Sequence, residues 1–423
     1  MQLWETIVLW IVYGISLYFS IFLVLVFFDT RKQFESEVSS IEVNDYPLVS
    51  IFVPAYNEEA TIFATMKSVF EIDYPKDRLD VIVINDGSSD STLSNMQAFI
   101  SEYNASHFRI LNHDNMGKAA SLNKAIELAK GKYFACLDAD SFVDKLSLRK
   151  MLAMFEKEND SQLAIITPAM KVHAPRGILQ KIQWFEYLVM IFVGRLTSHL
   201  DSLYVAPGPF SLYRLDVIKK LGGFAKDTLT EDQEIAYRMQ KGQYRIKQCF
   251  DAYVYTVAPN KLPGFYQQRR RWYMGSMQCA YKYKDMIANK KYGDFGIIQM
   301  VKNVLGYGLA ICGIAFALYF FIWPLLEKML NGFSIGFNIW PYFRHLEIIT
   351  SPLLLNVQQL SVLIVLFGIS GFFFIQAHRN AREKIHSRYY LSIIPYFAFY
   401  YLLKGGILLM SMLEFARVKK IKW

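Results

Sequence analysis

Three uncharged apolar stretches constrain this chain more than any other feature of its sequence. Residues 6–28, 304–326 and 352–376 contain no Asp, Glu, Lys or Arg. An apolar run of about 18 residues or more is long enough to cross the hydrocarbon core of a bilayer. A core helix of a soluble protein seldom stays uncharged over that length, because one of its faces usually meets water. The pattern therefore predicts three transmembrane helices.

A fourth apolar stretch, residues 389–413, is interrupted by Lys404, Gly405 and Gly406. Glycine weakens a helix interior, and lysine is costly in lipid unless it meets a partner or water. The stretch either crosses the membrane or forms a re-entrant hairpin that bends at the two glycines. We expect the hairpin, because it keeps the basic tail at 417–423 on the side of the other basic loops. Lys404 would then face a polar channel or lie at the membrane interface.

The charges that flank the first stretch predict its orientation. Its apolar run is longer than that of a signal peptide, and Glu5 precedes it while Arg31 and Lys32 follow. Because basic residues concentrate in cytosolic loops, the N-terminus is expected outside and residue 31 onward in the cytosol of an integral cell membrane protein. The basic segment 377–388 is expected to be a cytosolic loop for the same reason.

Five segments follow from this pattern. We predict an N-terminal transmembrane helix at 1–30, a linker at 31–46, a soluble domain at 47–260, interfacial amphipathic helices at 261–300 and a C-terminal membrane region at 301–423. The net charge of +9 lies largely beside membrane segments. It favours membrane lipids as partners and does not point to nucleic acid, since no nucleic-acid-binding module accompanies it. The four cysteines show no ligand-like spacing and fit a reduced cytosolic domain.

The middle of the chain alternates between strand and helix patterns. Buried-strand patterns occur at 48–54, 79–86, 108–111, 132–138 and 161–168. Such alternation predicts an α/β domain with a parallel sheet between helices, and ligands bind such sheets beyond the carboxyl ends of the strands. Polar segments follow the first four strands and should converge at one edge: PAYNE (54–58), NDGSSD (85–90), NMGKA (115–119) and DADS (138–141).

Asp138 and Asp140 directly follow an apolar strand. Two carboxylates at this spacing can hold Mg²⁺ or Mn²⁺, which keeps positions free for substrate phosphates. Lys118 would add positive charge beside a bound diphosphate. A D-x-D sequence also occurs on ordinary surfaces, so metal and phosphate chemistry is one of two interpretations of these residues.

Two later segments also allow a structural and a functional interpretation. In VAPGPFSLYR a proline stands on each side of Gly208, which suits either the wall of a binding groove or an ordinary loop. In LTEDQEIAYRM, Thr230 suits a helix N-cap, and Glu231 and Asp232 suit its first turn. A carboxylate here would serve equally as the general base for an acceptor hydroxyl.

The ordered set PAYNE, NDGSSD, GKA, DAD, TED and QRRRW resembles the membrane-integrated processive family-two glycosyltransferases, which include hyaluronan, chitin, cellulose and poly-N-acetylglucosamine synthases. The resemblance covers residues 48–272 and ends in a Q-x-x-R-W motif. It implies an α/β GT-A fold with a Rossmann-like mixed sheet, a UDP-sugar donor, a divalent metal and inverting transfer to a growing polysaccharide.

The resemblance also implies roles for individual residues. The donor would contact Tyr56, Glu58 and Asp86 around the uridine, Lys118 and Asp138 near the diphosphate, and Gln268 and Arg271 of the motif. The metal would be bound by Asp140 with Asp138. The catalytic carboxylates would be Asp232 as base, Glu231 and Asp138. The acceptor would contact Gly208, Pro209, Ser211 and Trp272.

The expected activity is therefore membrane-bound polymerisation of sugar from UDP-N-acetylglucosamine, with export of the polysaccharide through the protein's own channel. Hyaluronan-type synthesis, which also needs UDP-glucuronic acid, is the second expectation. The alternative is a non-processive enzyme that adds one sugar to a lipid or polyprenyl phosphate. Arg269 and Arg270 are expected to form the cationic face of an interfacial helix at 262–285.

Overall fold

The soluble domain is built on one mixed sheet. The structure is a computed structural model that describes residues 3–36, 42–319 and 357–417, together with positions 323, 326, 327 and 330. Within these residues, eight strands pair in the order β3-β2-β1-β4-β7-β6-β8-β5. Their bounds are β1 Val49–Ala55, β2 Leu79–Asp86, β3 Phe108–His113, β4 Tyr133–Cys136, β5 Ser141–Val143, β6 Leu163–Val172, β7 Leu212–Arg214 and β8 Arg245–Thr256.

The first half of the sheet has the parallel arrangement that the strand–helix alternation predicts. β1 is parallel to β2 and β4, and β2 is parallel to β3. The second half differs, because β7 is antiparallel to both β4 and β6, and β5 is antiparallel to β8. A wholly parallel sheet is therefore wrong, and the mixed sheet is confirmed. The strands β5 and β7 have three residues each, which is too short for a hydrophobic period to reveal.

Helices cover both faces of this sheet. Ile51 and Val53 of β1 belong to an apolar core beneath one layer of helices, whereas Phe52 belongs to a separate core beneath the helices on the opposite face. Successive strand residues point to opposite faces, so a continuous apolar strand requires cover on both sides. The bounds are α2 Ile62–Phe70, α3 Thr92–Glu102, α4 Lys118–Leu128, α5 Ser147–Glu158, α6 Ile178–His199, α7 Leu215–Lys220, α8 Glu231–Lys241 and α9 Leu262–Lys282.

Within the described residues, four helices are long and apolar enough to cross a membrane. α1 spans Leu3–Ser36, α10 spans Met300–Ala317, α11 spans Val357–Asn380 and α12 spans Tyr390–Arg417 with a π-helical turn at Tyr396–Tyr400. The first three contain or overlap the predicted spans, although much of 320–356 lies outside the described residues. α1 also continues beyond the predicted boundary at residue 30 into the predicted linker.

The predicted re-entrant hairpin is wrong, because α12 passes through Gly405 and Gly406 without a break. A Cβ on Gly405 would lie 3.1 Å from side-chain atoms of Ile314 in α10. Small residues let helices approach closely in membranes, so this glycine supports packing of α12 on α10 rather than a bend. The basic tail beyond Arg417 lies outside the described residues.

Candidate active site

The loops that follow β1 and β2 are tied to each other at the carboxyl edge of the sheet. The Asn57 amide donates to Ser88 Oγ at 3.0 Å, and the Ser89 amide donates to Asn57 Oδ1 at 2.9 Å. The Glu58 amide donates to Thr92 Oγ1 at 2.8 Å. Tyr56 projects from this edge with 51% of its surface exposed. The predicted uridine-binding residues Tyr56 and Glu58 therefore lie on one rigid rim.

Asp86 connects this rim to the loop that follows β3. Its two carboxylate oxygens accept the amides of Met116 and Gly117 at 2.9 and 3.0 Å. Gly87 has φ +72°, and a Cβ there would lie 2.5 Å from the Asn115 nitrogen, so only glycine allows the two loops to approach this closely. Asp86 thus orients the loop that leads into Lys118, and its predicted contact with uridine stays a prediction.

Lys118 joins two carboxylates from distant parts of the chain. Its Nζ lies 2.6 Å from Asp138 Oδ1 and 2.9 Å from Glu231 Oε1. Burial alone would lower the pKa of Lys118, but the two carboxylates outweigh it and hold that pKa well above its ordinary value. The ammonium is therefore permanently charged, and it links the D-x-D segment to the T-E-D segment.

Asp140 and Asp232 both have a raised pKa. Burial and the neighbouring Asp138 raise the pKa of Asp140 to about 6. Burial and the neighbouring Glu231 raise the pKa of Asp232 to about 6, against the opposing charges of Lys118 and Arg271. A carboxylate whose pKa lies near the working pH is suited to general-base catalysis. Asp232 is thus chemically able to take a proton in the way that the resemblance implies.

The P-G-P loop packs against these charges. The Ala206 amide donates to the Asp232 carbonyl at 3.2 Å. A Cβ on Gly208 would lie 3.2 Å from Lys118 Nζ and 3.3 Å from Asp138 Oδ2, so glycine leaves room for this ion pair. Ser211 is fully buried and donates to the Pro207 carbonyl at 2.7 Å, so its side chain shapes the loop. The predicted acceptor contacts of Gly208, the buried Pro209 and Ser211 remain predictions.

α9 is fitted closely onto the T-E-D segment. A Cβ on Gly275 would overlap the side chain of Thr230, which precedes α8. The Gln278 Oε1 accepts the Leu229 amide at 2.9 Å, and Gln233 Nε2 donates to Ser276 Oγ at 3.1 Å. These contacts hold Arg271 close enough to act electrostatically on Asp232. The Q-x-x-R-W helix and the candidate base are therefore one packed unit.

The prediction that Arg269 and Arg270 form a cationic interfacial face is wrong. Arg269 is 1% exposed, and its Nη2 lies 2.5 Å from Glu186 Oε2 in α6. Its guanidinium also lies 4.1 Å from the centre of the Trp272 ring, so it covers one face of that ring. Arg270 pairs with Glu414 of α12. α9 packs against α6 and α12, and these two arginines pair with carboxylates of those helices.

Sequence reasoning missed a charged cluster around Glu186. Lys404 of α12 lies 2.5 Å from Glu186 Oε1, and the Tyr400 hydroxyl donates to Glu186 Oε2 at 2.6 Å. Burial alone would raise the pKa of Glu186, but Lys404 and Arg269 hold it below its ordinary value. One signal was available: Glu186 and Lys404 carry opposite charges inside two otherwise apolar stretches, and such charges are usually paired.

Asp138 and Asp140 fit a divalent ion that is shared with a phosphate ligand. In the part of the chain that the structure describes, no three His, Cys, Asp or Glu side chains group around a common point. Mg²⁺ and Mn²⁺ commonly take one or two protein carboxylates and complete their shells with water and phosphate. Burial and the charge of Asp138 raise the pKa of Asp140 in spite of Lys118, so a cation at this position would stabilise the ionised carboxylate. Gln268 of the Q-x-x-R-W motif has its side-chain Oε1 buried, and this oxygen accepts no hydrogen bond from the described residues.

Comparison with known proteins agrees with this geometry. A family model described as glycosyl transferase family 2 matches residues 50–222. The poly-β-1,6-N-acetyl-D-glucosamine synthase of Staphylococcus epidermidis is 29% identical over 63% of this chain and 64% of its own length. The synthase of the same name from Staphylococcus aureus (strain COL) is 32% identical over 56% of each chain. These alignments thus span just under two thirds and just over half of the relatives' length.

A solved structure shares the fold. The mannosyltransferase PcManGT from Pyrobaculum calidifontis, in complex with GDP-Man and Mn²⁺, superimposes with a TM-score of 0.56 at 17% identity, over 88% of this chain and 99% of that one. The mixed sheet, the charged edge and the family match lead to one conclusion. Residues 50–222 of this chain match the glycosyl transferase family 2 model and form the core of a GT-A-like mixed sheet, and the described residues also include helices that are long and apolar enough to cross a membrane.

Proposed function

We propose that this protein is a membrane-bound, inverting and processive glycosyltransferase that builds a polysaccharide from UDP-N-acetylglucosamine. The observation that carries the proposal is the position of Asp232, whose pKa is raised to about 6, beside the cluster of Lys118, Asp138 and Glu231. The cluster lies at the sheet edge where α/β domains bind nucleotides. The names of the curated relatives support N-acetylglucosamine as the sugar.

Asp232 acts in this proposal as the general base. The acceptor hydroxyl attacks C1 of the donor sugar, its proton passes to Asp232, and the bond between C1 and the diphosphate oxygen breaks on the opposite face. The configuration at C1 is therefore inverted in a single displacement. The electron pair of the broken bond leaves with UDP, so negative charge grows on the diphosphate.

Lys118 and Arg271 stabilise that growing charge. Preorganised cations at the point where charge develops lower the barrier without reorganisation during the reaction. The edge is rich in carboxylates, however, and Lys118 already pairs with Asp138 and Glu231. A divalent cation held by Asp138 and Asp140 would supply the additional positive charge that lets a diphosphate bind here. UDP-sugar binding is therefore expected to depend on Mg²⁺ or Mn²⁺.

Trp272 and the P-G-P loop form the proposed acceptor subsite. Arg269 stacks on the Trp272 ring, and the exposed part of this partly buried ring would contact the apolar C–H face of a sugar. The Gly208 loop contacts both the ion pair and the base segment, so an acceptor between these walls has its hydroxyl near Asp232. The acceptor site lies on α9, which packs against the membrane helix α12. A polymer held at this position would remain bound after each transfer and could advance along the membrane helices by one sugar.

The experiment that tests the proposal is incubation of the purified full chain, in detergent or nanodiscs, with labelled UDP-N-acetylglucosamine and Mg²⁺ or Mn²⁺. A ladder of long products that a specific hexosaminidase degrades would support it. A single-sugar lipid adduct would overturn processivity, and a product that needs UDP-glucuronic acid as well would replace the sugar assignment. Asp232→Asn is the matched control, because it keeps the shape of the side chain and removes the base.

A further inference from the structure

A groove of about 460 Å³ lies where α11 leaves the candidate membrane span Leu360–Asn380. Its lining has two chemically different parts. The apolar part is formed by Phe374, Ile375 and Ile385, and the cationic part is formed by Arg379, Arg382 and Lys384. Such a surface is suited to an amphiphile whose anionic end meets the cations while its apolar end follows the helix.

The groove carries net positive charge. Arg379, Arg382 and Lys384 are exposed, and none of the described carboxylates forms an ion pair with them. The carboxylate that lines the groove, Glu383, lies 2.9 Å from Lys171 Nζ, which also donates to the Ala381 carbonyl at 2.9 Å. Glu383 therefore serves to fasten this loop to β6 of the catalytic domain and does not neutralise the three cations.

Arg382 occupies a backbone position that normally favours glycine. The Glu383 amide donates to the His378 carbonyl at 3.0 Å, and the Arg382 amide donates to the Arg379 carbonyl at 3.2 Å. This is the hydrogen-bond pattern of a Schellman motif, and Arg382 takes its left-handed position with φ 54°. Glycine is the usual residue there, because a side chain strains the backbone. A strained residue that keeps a long cationic side chain points to a use for that side chain.

We propose that this groove binds the phosphate headgroup of an anionic phospholipid. Arg379, Arg382 and Lys384 surround the phosphate, and an acyl chain lies along Phe374 and Ile375 toward the membrane span. A free phosphate would use only the cationic part, whereas a lipid uses both parts of the groove. Because Glu383 and Ala381 hold Lys171, the bound lipid would fix the catalytic domain at a set height above the bilayer.

A simpler explanation of the basic residues is charge compensation at the C-terminus of α11. Arg382→Gly separates the two explanations, because glycine suits the left-handed position and removes the cation. The full chain, in detergent stripped of lipid, is titrated with phosphatidylglycerol or phosphatidylcholine, and native mass spectrometry counts the lipid bound to each chain. Lys130→Gln removes an exposed cation from the loop before β4 and is the matched control.

Wild type and Lys130→Gln are expected to retain one phosphatidylglycerol in preference to phosphatidylcholine. Each cation near an anionic headgroup contributes about fivefold in affinity, so Arg382→Gly should lose about that factor while its melting temperature stays equal or rises. The variant that combines Arg379→Gln, Arg382→Gly and Lys384→Gln should lose the preference. Equal retention by wild type and Arg382→Gly would overturn the proposal, and so would displacement of the lipid by millimolar inorganic phosphate.

Discussion

Arg269 of α9 and Glu186 of α6 form a buried ion pair with 2.5 Å between Nη2 and Oε2. Lys404 of α12 contacts the other carboxylate oxygen of Glu186. Three helices that are distant in sequence therefore meet at one carboxylate. Arg269 and Arg271 are only two positions apart but have different roles. Arg269 holds α9 against α6 through its ion pair, whereas the charge of Arg271 opposes the rise in the pKa of Asp232.

Substitution of these arginines should separate stability from catalysis. Arg269→Ala leaves the charge of Glu186 buried with one cation fewer, and breaking a buried pair costs about 3–5 kcal/mol. We expect a strongly lowered melting temperature and little folded enzyme. Arg271→Ala should keep the melting temperature of wild type and lose most polymer synthesis. Melting curves in detergent, measured beside product yield, check both expectations.

Arg270→Ala is the matched control for this comparison. Its pair with Glu414 is only half-buried, and such pairs contribute about 0–1 kcal/mol. The melting temperature should change little. Equal and small losses of stability in all three variants would contradict the structural role of Arg269. They would indicate instead that the three arginines belong to one exposed surface.

Gly275→Ala should loosen α9 from the T-E-D segment. The added methyl overlaps the Thr230 side chain, and overpacking of this kind costs about 1–3 kcal/mol. Thermal stability and sugar transfer should both fall, and the double variant Gly275→Ala with Thr230→Ala should recover part of each. A double-mutant cycle of melting temperature and turnover measures the coupling.

Gly264→Ala is the control within the same helix. A Cβ at that position would lie 3.7 Å from Pro259, which is ordinary contact. Its stability and turnover should match wild type. Absence of coupling between Gly275 and Thr230 in the cycle would argue against the close packing of α9 on the base segment.

The sequence predicts the parts of this protein whose signal is local. The strand–helix alternation gave the strands up to β4 and β6, and the polar segments after β1, β2 and β4 do converge at one edge, because parallel strands point their carboxyl ends the same way. The Lys118 cluster could be predicted only in part. Asp138 follows from its place after a strand, whereas Glu231 reaches Lys118 through tertiary packing that no spacing encodes.

The failed predictions have a common physical origin. A row of cations on a helix is usually interpreted as a solvent-exposed face. A pair of glycines in an apolar stretch is usually interpreted as a bend. Both interpretations assume that no other part of the chain packs against these residues. Glu186 and Glu414 supply partners for the arginines, and Ile314 packs against Gly405, so tertiary contacts override the local pattern.

Gly208→Ala should weaken transfer without unfolding the domain. Its methyl would press on Lys118 Nζ and Asp138 Oδ2 at 3.2 and 3.3 Å, and a flexible side chain can shift by a few tenths of an ångström. Displacement of a catalytic group by a fraction of an ångström is expected to lower kcat by about tenfold. Gly177→Ala, where a Cβ would meet nothing within 4 Å, is the control and should behave as wild type. An unchanged kcat in Gly208→Ala would contradict the proposal that the P-G-P loop shapes the active site.

The pH dependence of sugar transfer should report the ionisation of Asp232. Burial and Glu231 raise its pKa to about 6, and a base works only when it is deprotonated, so kcat/KM should fall by about tenfold per pH unit below pH 6. The assay is run at saturating Mg²⁺, because the proposed metal would keep Asp140 ionised and separate its titration from that of Asp232. Glu231→Gln leaves burial in place but removes the neighbouring charge that also raises the pKa of Asp232, so the acid limb of its residual activity should move to lower pH. Asp232→Asn should show no activity at any pH. A limb that stays in place in Glu231→Gln, or full turnover of Asp232→Asn, would show that Asp232 is not the base.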